Sequence, residues 1–87
     1  MLRYGVIGTG MMGIEHIMNV RSIDDAEVTA YADPHEQSRI GAATVVPEAK
    51  AFTDHRVLLE SGLCDAIVVA TPTHTHAAIL EDVLAPH

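Results

Sequence analysis

The stretch YGVIGTGMMG, residues 4–13, limits the fold of this chain more than any other. Its last three glycines, Gly8, Gly10 and Gly13, follow a strand-forming run from Arg3 to Gly8 and open a helical one. From Met12 to Ile23, apolar residues recur at Ile14, Ile17 and Met18, and more weakly at Val20 and Ile23, the stripe of a helix that packs by one face. Each glycine has its own task in such a strand-to-helix turn. Gly8 permits the tight turn out of the strand, Gly10 opens the backbone to close approach, and Gly13 lets the helix pack on the sheet. The first N–H groups of the helix have no intrahelical partner and, with the helix dipole, suit an anion.

The rest of the chain alternates strand and helix with short connections. Asp24-Asp25 ends the first helix, and EVTAYAD, Glu27 to Asp33, reads as a second strand. Pro34 to about Ala43 reads as a short helix with proline in its first turn. Ala51 to Thr53 gives a short third strand, and Asp54 is placed to cap a helix from His55 to Ser61 that Gly62 stops. CDAIVVAT, Cys64 to Thr71, is apolar almost throughout, which predicts a parallel strand covered on both faces. A last helix is expected from about Thr75 to Leu84, with Ala78, Leu80 and Leu84 among its apolar positions. This succession predicts an α/β doubly wound parallel sheet of Rossmann type, with right-handed crossovers and strand order 3-2-1-4. A fifth strand is missing from that pattern, and an open apolar edge is a liability. Residues 1–87 are therefore expected to be the N-terminal part of a larger dinucleotide-binding domain.

An acidic residue, Asp33, ends the second strand 20 residues beyond Gly13, the spacing of the dinucleotide fingerprint. Its carboxylate suits the two adenosine ribose hydroxyls and would repel a 2′-phosphate, which favours NAD over NADP. Pro34 and His35 follow, and Arg39 is the nearest cation able to blur that preference. The alternative is that Asp33 only caps the next helix. A Walker-type loop is excluded because Gly13 is followed by Ile14-Glu15 where that loop needs lysine and a hydroxyl. A kinase-type loop lies between strands, and here a helix follows.

ATPTHTHAAIL, Ala70 to Leu80, follows the fourth strand, whose carboxyl end should lie beside that of the first at the switch point. Thr71 and Thr73 offer hydroxyls and Pro72 stiffens the loop. His74 and His76 have no thiolate or carboxylate at ligand spacing, so no metal site is expected. His16, His35, His55 and His87 show no clustering and read as surface residues.

Formal net charge is −7 and the five basic residues are scattered, so no basic stripe suits a nucleic acid. Cys64 is the only cysteine, which rules out an internal disulfide; ahead of an apolar strand it reads as a small, inert buried residue. The longest apolar run, Ala66 to Ala70, is far short of a membrane span, and MLRYGVIG has no stretch of signal-peptide length. These features predict a cytoplasmic protein with no nucleic-acid or membrane partner.

YGVIGTGMMGIEH, VTAYADP and DAIVVATPTHTHAAIL together resemble the amino-terminal half of the Gfo/Idh/MocA oxidoreductases, over essentially the whole chain. That resemblance implies a hydride transfer between a nicotinamide cofactor and a hydroxyl-bearing carbon of a sugar or polyol. It implies that Thr71-Pro72-Thr73-x-x-His76 lines the cofactor site, although many members carry asparagine where this chain has Thr73. It also implies a fifth strand, a Glu-Lys-Pro motif whose lysine assists proton transfer, and a carboxyl-terminal sheet domain that holds substrate and mediates self-association. None of these lies within residues 1–87, so the span alone is expected to be inactive. The candidate cofactor-binding set is Gly8, Thr9, Gly10, Met11, Met12, Gly13, Asp33, Thr71, Pro72, Thr73 and His76, with no catalytic or metal-binding residue among them. Two rival readings carry the same glycines: a non-enzymatic NAD(H)-sensing module, and an α/β interaction domain that binds no dinucleotide.

Overall fold

The computed structural model describes residues 1–71 and 76–85. Four parallel strands form one sheet: β1 (Leu2–Ile7), β2 (Ala26–Ala32), β3 (Lys50–Phe52) and β4 (Ala66–Val69), in the order β3-β2-β1-β4. Each strand is followed by a helix: α1 (Met11–Arg21), α2 (Glu36–Val45), α3 (His55–Glu60) and α4 (His76–Leu84). The predicted fold class and strand order hold.

Two apolar layers cover the sheet. On one face Ile17 and Val20 of α1, with Ala42 of α2 and Val46, pack on Val6, Val28 and Tyr31. On the other, Leu58 of α3 packs on Ala30 and Ala32, with Phe52 and Ile67 at its margin. Leu58, Val6 and Ile17 are fully buried, so the two faces share the burial that holds so small a chain together. The α3 start is fixed by Asp54, whose carboxylate accepts from the Arg56 N–H at 2.9 Å, and Gly62 follows the helix at φ +73°.

Several boundaries differ from the sequence reading, each for a local reason. β4 is four residues long, and within residues 1–87 its side chains are half-buried. Pro34 lies outside α2, whose N-cap is His35, because the chain first turns at Asp33. Met18 and Ile23 are exposed, since the inner stripe of α1 runs through Gly13, Ile17 and Val20. In α4 the inward residue is Ile79, while Ala78, Leu80 and Leu84 are exposed. Cys64 is half-buried; its thiol is pushed up by desolvation, and a contact with the Thr29 hydroxyl at 3.6 Å pulls the other way.

The β1–β2 pairing is irregular. Tyr4 pairs with Val28 and Gly5 with Ala30, so Thr29 is one residue too many on β2. Its hydroxyl donates to the Leu63 carbonyl at 2.7 Å, which holds the bulge on the α3 side of the sheet. At the amino-terminal ends of the strands, Arg3 grips Asp65 with both Nε (3.1 Å) and Nη2 (2.9 Å). That guanidinium and the Arg3 N–H lower the Asp65 carboxyl to about 2.

Candidate functional site

At the carboxyl ends of the strands lies a crevice of about 860 Å³, within the range of small-molecule sites. It runs from the β1–α1 turn, past the ends of β2 and β3, to the end of β4. Gly8, Gly10, Met11 and Met12 line one side, Asp33, Pro34 and His35 another, and Ala70, Thr71 and Ile79 the switch-point side.

The glycine turn has the predicted division of labour. Gly8 sits at φ +94°, a conformation that side chains disfavour, and a Cβ there would also meet the Ala70 backbone and the Thr71 methyl at 3.0 Å. A Cβ on Gly13 would lie 1.9 Å from the Gly8 carbonyl oxygen, so glycine alone lets α1 approach the turn this closely. Gly10 is the opposite case, with nothing within 4 Å of an added Cβ. It is the N-cap of α1 and supplies no side chain to the helix amides, and the first turn carries no acidic residue. The Met11 side chain is 89% exposed and that of Met12 is also turned outward, leaving the helix start accessible. Uncapped amides at the positive end of a helix, beside empty space over a glycine, fit a diphosphate.

Asp33 is 8% exposed and its two carboxylate oxygens are both engaged. Oδ2 accepts from the Thr9 N–H at 2.8 Å, and Oδ1 accepts from the His35 N–H at 2.8 Å. The second contact forms a turn ahead of α2, whose N-cap is His35 with no side-chain cap bond, so Asp33 does not cap that helix. Arg39 donates from Nη1 to the Asp33 carbonyl at 2.8 Å, which anchors a cation at the end of β2. The buried Tyr31 phenol beneath is pushed up by desolvation, with the Arg39 charge opposing.

Of the sequence-predicted residues, Gly8, Gly10, Met11, Met12, Asp33 and Thr71 line the same crevice. Thr9 and Gly13 lie behind the turn; Thr9 is 2% exposed. Pro72, Thr73 and the His76 side chain lie outside the described residues. Sequence reasoning missed His55. Its side chain is 20% exposed and its Nε2 lies 2.7 Å from Asp82 Oδ2, because α3 and α4 lie side by side. The expectation of a surface residue is thus corrected for His55, whose side chain is largely covered; only the helical pattern of α3 and α4 hinted at the pairing.

The strand order, the glycine turn and the carboxylate at the end of β2 define a dinucleotide-binding α/β domain of the Rossmann class. Residues 2–87 match the Gfo/Idh/MocA oxidoreductase family, described by its NAD-binding Rossmann fold, and the chain belongs to that family. It is 38% identical to an inositol 2-dehydrogenase of Leifsonia xyli over 97% of this chain and 25% of that protein. It is 41% identical to inositol 2-dehydrogenase 2 of Paenarthrobacter aurescens, over 91% of this chain and 24% of that protein. Among solved structures, the myo-inositol dehydrogenase of Lactobacillus casei, in complex with NAD(H) and myo-inositol, superimposes with a TM-score of 0.88 at 32% identity, covering 95% of this chain and 25% of that one. The chain thus spans about a quarter of the length of the relatives it matches. Among the described residues no helix is long and apolar enough to cross a membrane.

Proposed function

We propose that residues 1–87 act as the cofactor-holding portion of an NAD-dependent dehydrogenase that oxidises a hydroxyl-bearing carbon of a sugar or polyol. The single observation that carries this reading is the crevice joining uncapped α1 amides to the Asp33 carboxylate. In it, the uncapped amides at the start of α1, of Met11 and Met12 beside Gly10, would hold the diphosphate, while Gly8, Thr9 and Gly13 set the path of the turn and helix. Asp33 would accept from the adenosine ribose hydroxyls and Thr71 borders the switch-point side, while the family resemblance adds Pro72, Thr73 and His76 to the cofactor-binding set. A bound nicotinamide cofactor would supply the hydride acceptor, and the residues of this chain would bind its diphosphate through backbone amides and orient it.

NAD is favoured over NADP because Asp33 meets the 2′ position with a negative charge. Arg39, held at the end of β2 by one N–H to the Asp33 carbonyl, weakens that preference. The matched relatives are inositol dehydrogenases by name, which favours an enzyme over a regulatory sensor. The substrate half, self-association and a cytoplasmic location belong to the same reading of the full-length protein.

Calorimetric titration with NAD and NADP, on the intact protein and on Asp33→Ser, tests it. NAD should bind, and the substitution should lower the NAD-to-NADP affinity ratio roughly tenfold or more. An intact protein that binds neither cofactor, or an unchanged ratio in the variant, refutes the assignment.

A further inference from the structure

We infer that Asp33 is also the positioning residue for the phosphate loop, so that it governs diphosphate binding even where no ribose hydroxyl is present. This rests on the cofactor reading above, and goes beyond it by giving the carboxylate a second task.

The residue is held on every side. Its N–H donates to the Phe52 carbonyl at 3.0 Å, its carbonyl accepts from Arg39, and each carboxylate oxygen takes one backbone N–H. Next to it, the Gly8 N–H donates to the Ala32 carbonyl at 2.8 Å. The turn is thus stitched to the end of β2 by two consecutive amides, of Gly8 and Thr9, and the second stitch is a side chain.

With that side chain in place, the donor it serves is closed to solvent. Thr9 is 2% exposed and its contact with Asp33 is buried, so without the carboxylate its N–H becomes a buried donor with no acceptor. Such a donor is costly, and the turn would rotate to find a new partner. Rotation at Thr9 swings the peptides that follow, which carry the α1 amides meant for the diphosphate. The Thr9 hydroxyl, buried and without a hydrogen-bond partner among the described residues, offers no alternative anchor. The two tasks of Asp33 are compatible, because each carboxylate oxygen has two lone pairs and uses one for the backbone. The residue also lines the crevice. The free lone pairs serve the ribose; the bound ones hold the loop.

The test uses a ligand that separates these tasks, 2′,3′-dideoxyadenosine diphosphate, which keeps the diphosphate and lacks both ribose hydroxyls. Its affinity is compared between the intact protein and Asp33→Ser, and amide hydrogen exchange is followed at Thr9, Val6 and Ile7. Affinity for the dideoxy nucleotide should fall roughly tenfold in the variant, the size of one charge-assisted hydrogen bond. Thr9 should exchange at least roughly tenfold faster, while Val6 and Ile7 stay protected. Unchanged dideoxy affinity or unchanged Thr9 exchange overturns the inference. So does a parallel loss of protection at Val6 and Ile7, since the substitution then acts on the sheet. If the intact protein binds both NAD and the dideoxy nucleotide, these failures touch only the positioning role; if it binds neither, the cofactor reading falls and takes this one with it.

Discussion

Replacing Gly13 by alanine isolates the closest approach in the molecule. The new Cβ would lie 1.9 Å from the Gly8 carbonyl oxygen and 2.7 Å from its carbon, whereas real Cβ atoms essentially never come within 3.0 Å of a neighbour. The start of α1 must therefore retreat by about 1.1 Å, the gap between 1.9 and 3.0 Å. Gly8 cannot yield instead, because its N–H is bonded to Ala32 and the next amide to Asp33. Overpacking of this kind costs about 1–3 kcal/mol. Alanine's better helix propensity returns at most about 1 kcal/mol, and less in a first turn. The net loss of about 1–2 kcal/mol corresponds to a melting temperature roughly 5–15 °C lower for a domain of this size. Thermal melting followed by circular dichroism measures it directly. A Gly13→Ala variant that melts at or above the parent temperature would show that the contact between turn and helix is not tight, and with it that the turn is not held in the form described.

Gly10→Ala is the matched control: with nothing within 4 Å, stability should change by less than about 1 kcal/mol, while NAD affinity measured by calorimetry falls on the order of tenfold. Equal affinity would mean that the diphosphate does not pass over residue 10. Asp65→Asn should lower the melting temperature at pH 6. The Asp65 carboxyl is held at about 2 in the folded chain, below its ordinary 3.8, so its contribution is full above the ordinary value and is lost as pH falls toward 2. The difference between the two proteins should accordingly close between those pH values; a constant difference would contradict the Arg3 pairing. Leu58→Ala, at a residue 1% exposed, should cost about 2–5 kcal/mol and shift the urea midpoint accordingly, and a loss under about 1 kcal/mol would deny α3 its core.

The glycine spacing, the strand-to-helix alternation and Asp33 at its fixed interval were readable in the sequence because each reflects a local requirement of the backbone. Asp54 as a cap was readable for the same reason. What the sequence hid depends on neighbours distant along the chain. Met18 satisfies the helical stripe as well as Val20 does, and only the tilt of α1 on the sheet turns one outward and the other inward. The apolar content of AIVV signals a strand yet cannot report how its side chains divide between the two faces of the sheet. The His55–Asp82 pair joins residues 27 apart, on helices whose contact follows from the fold. The spacing of Asp33 was legible in the sequence, and its grip on Thr9 was not, because a backbone donor leaves no trace in residue type.

The extra residue on β2 works as a counting device. Before it, Val28 faces α1; after it, Ala30 and Ala32 face α3 and Tyr31 returns to the α1 side, so the odd and even positions exchange faces. Asp33 inherits its side from that exchange. In an unbroken strand of the same composition it would emerge beneath the sheet, away from the turn it now meets. The length of β2 is therefore under tighter constraint than most of its side chains, and a change of one residue there would move the carboxylate to the wrong surface with every other part of the fingerprint intact.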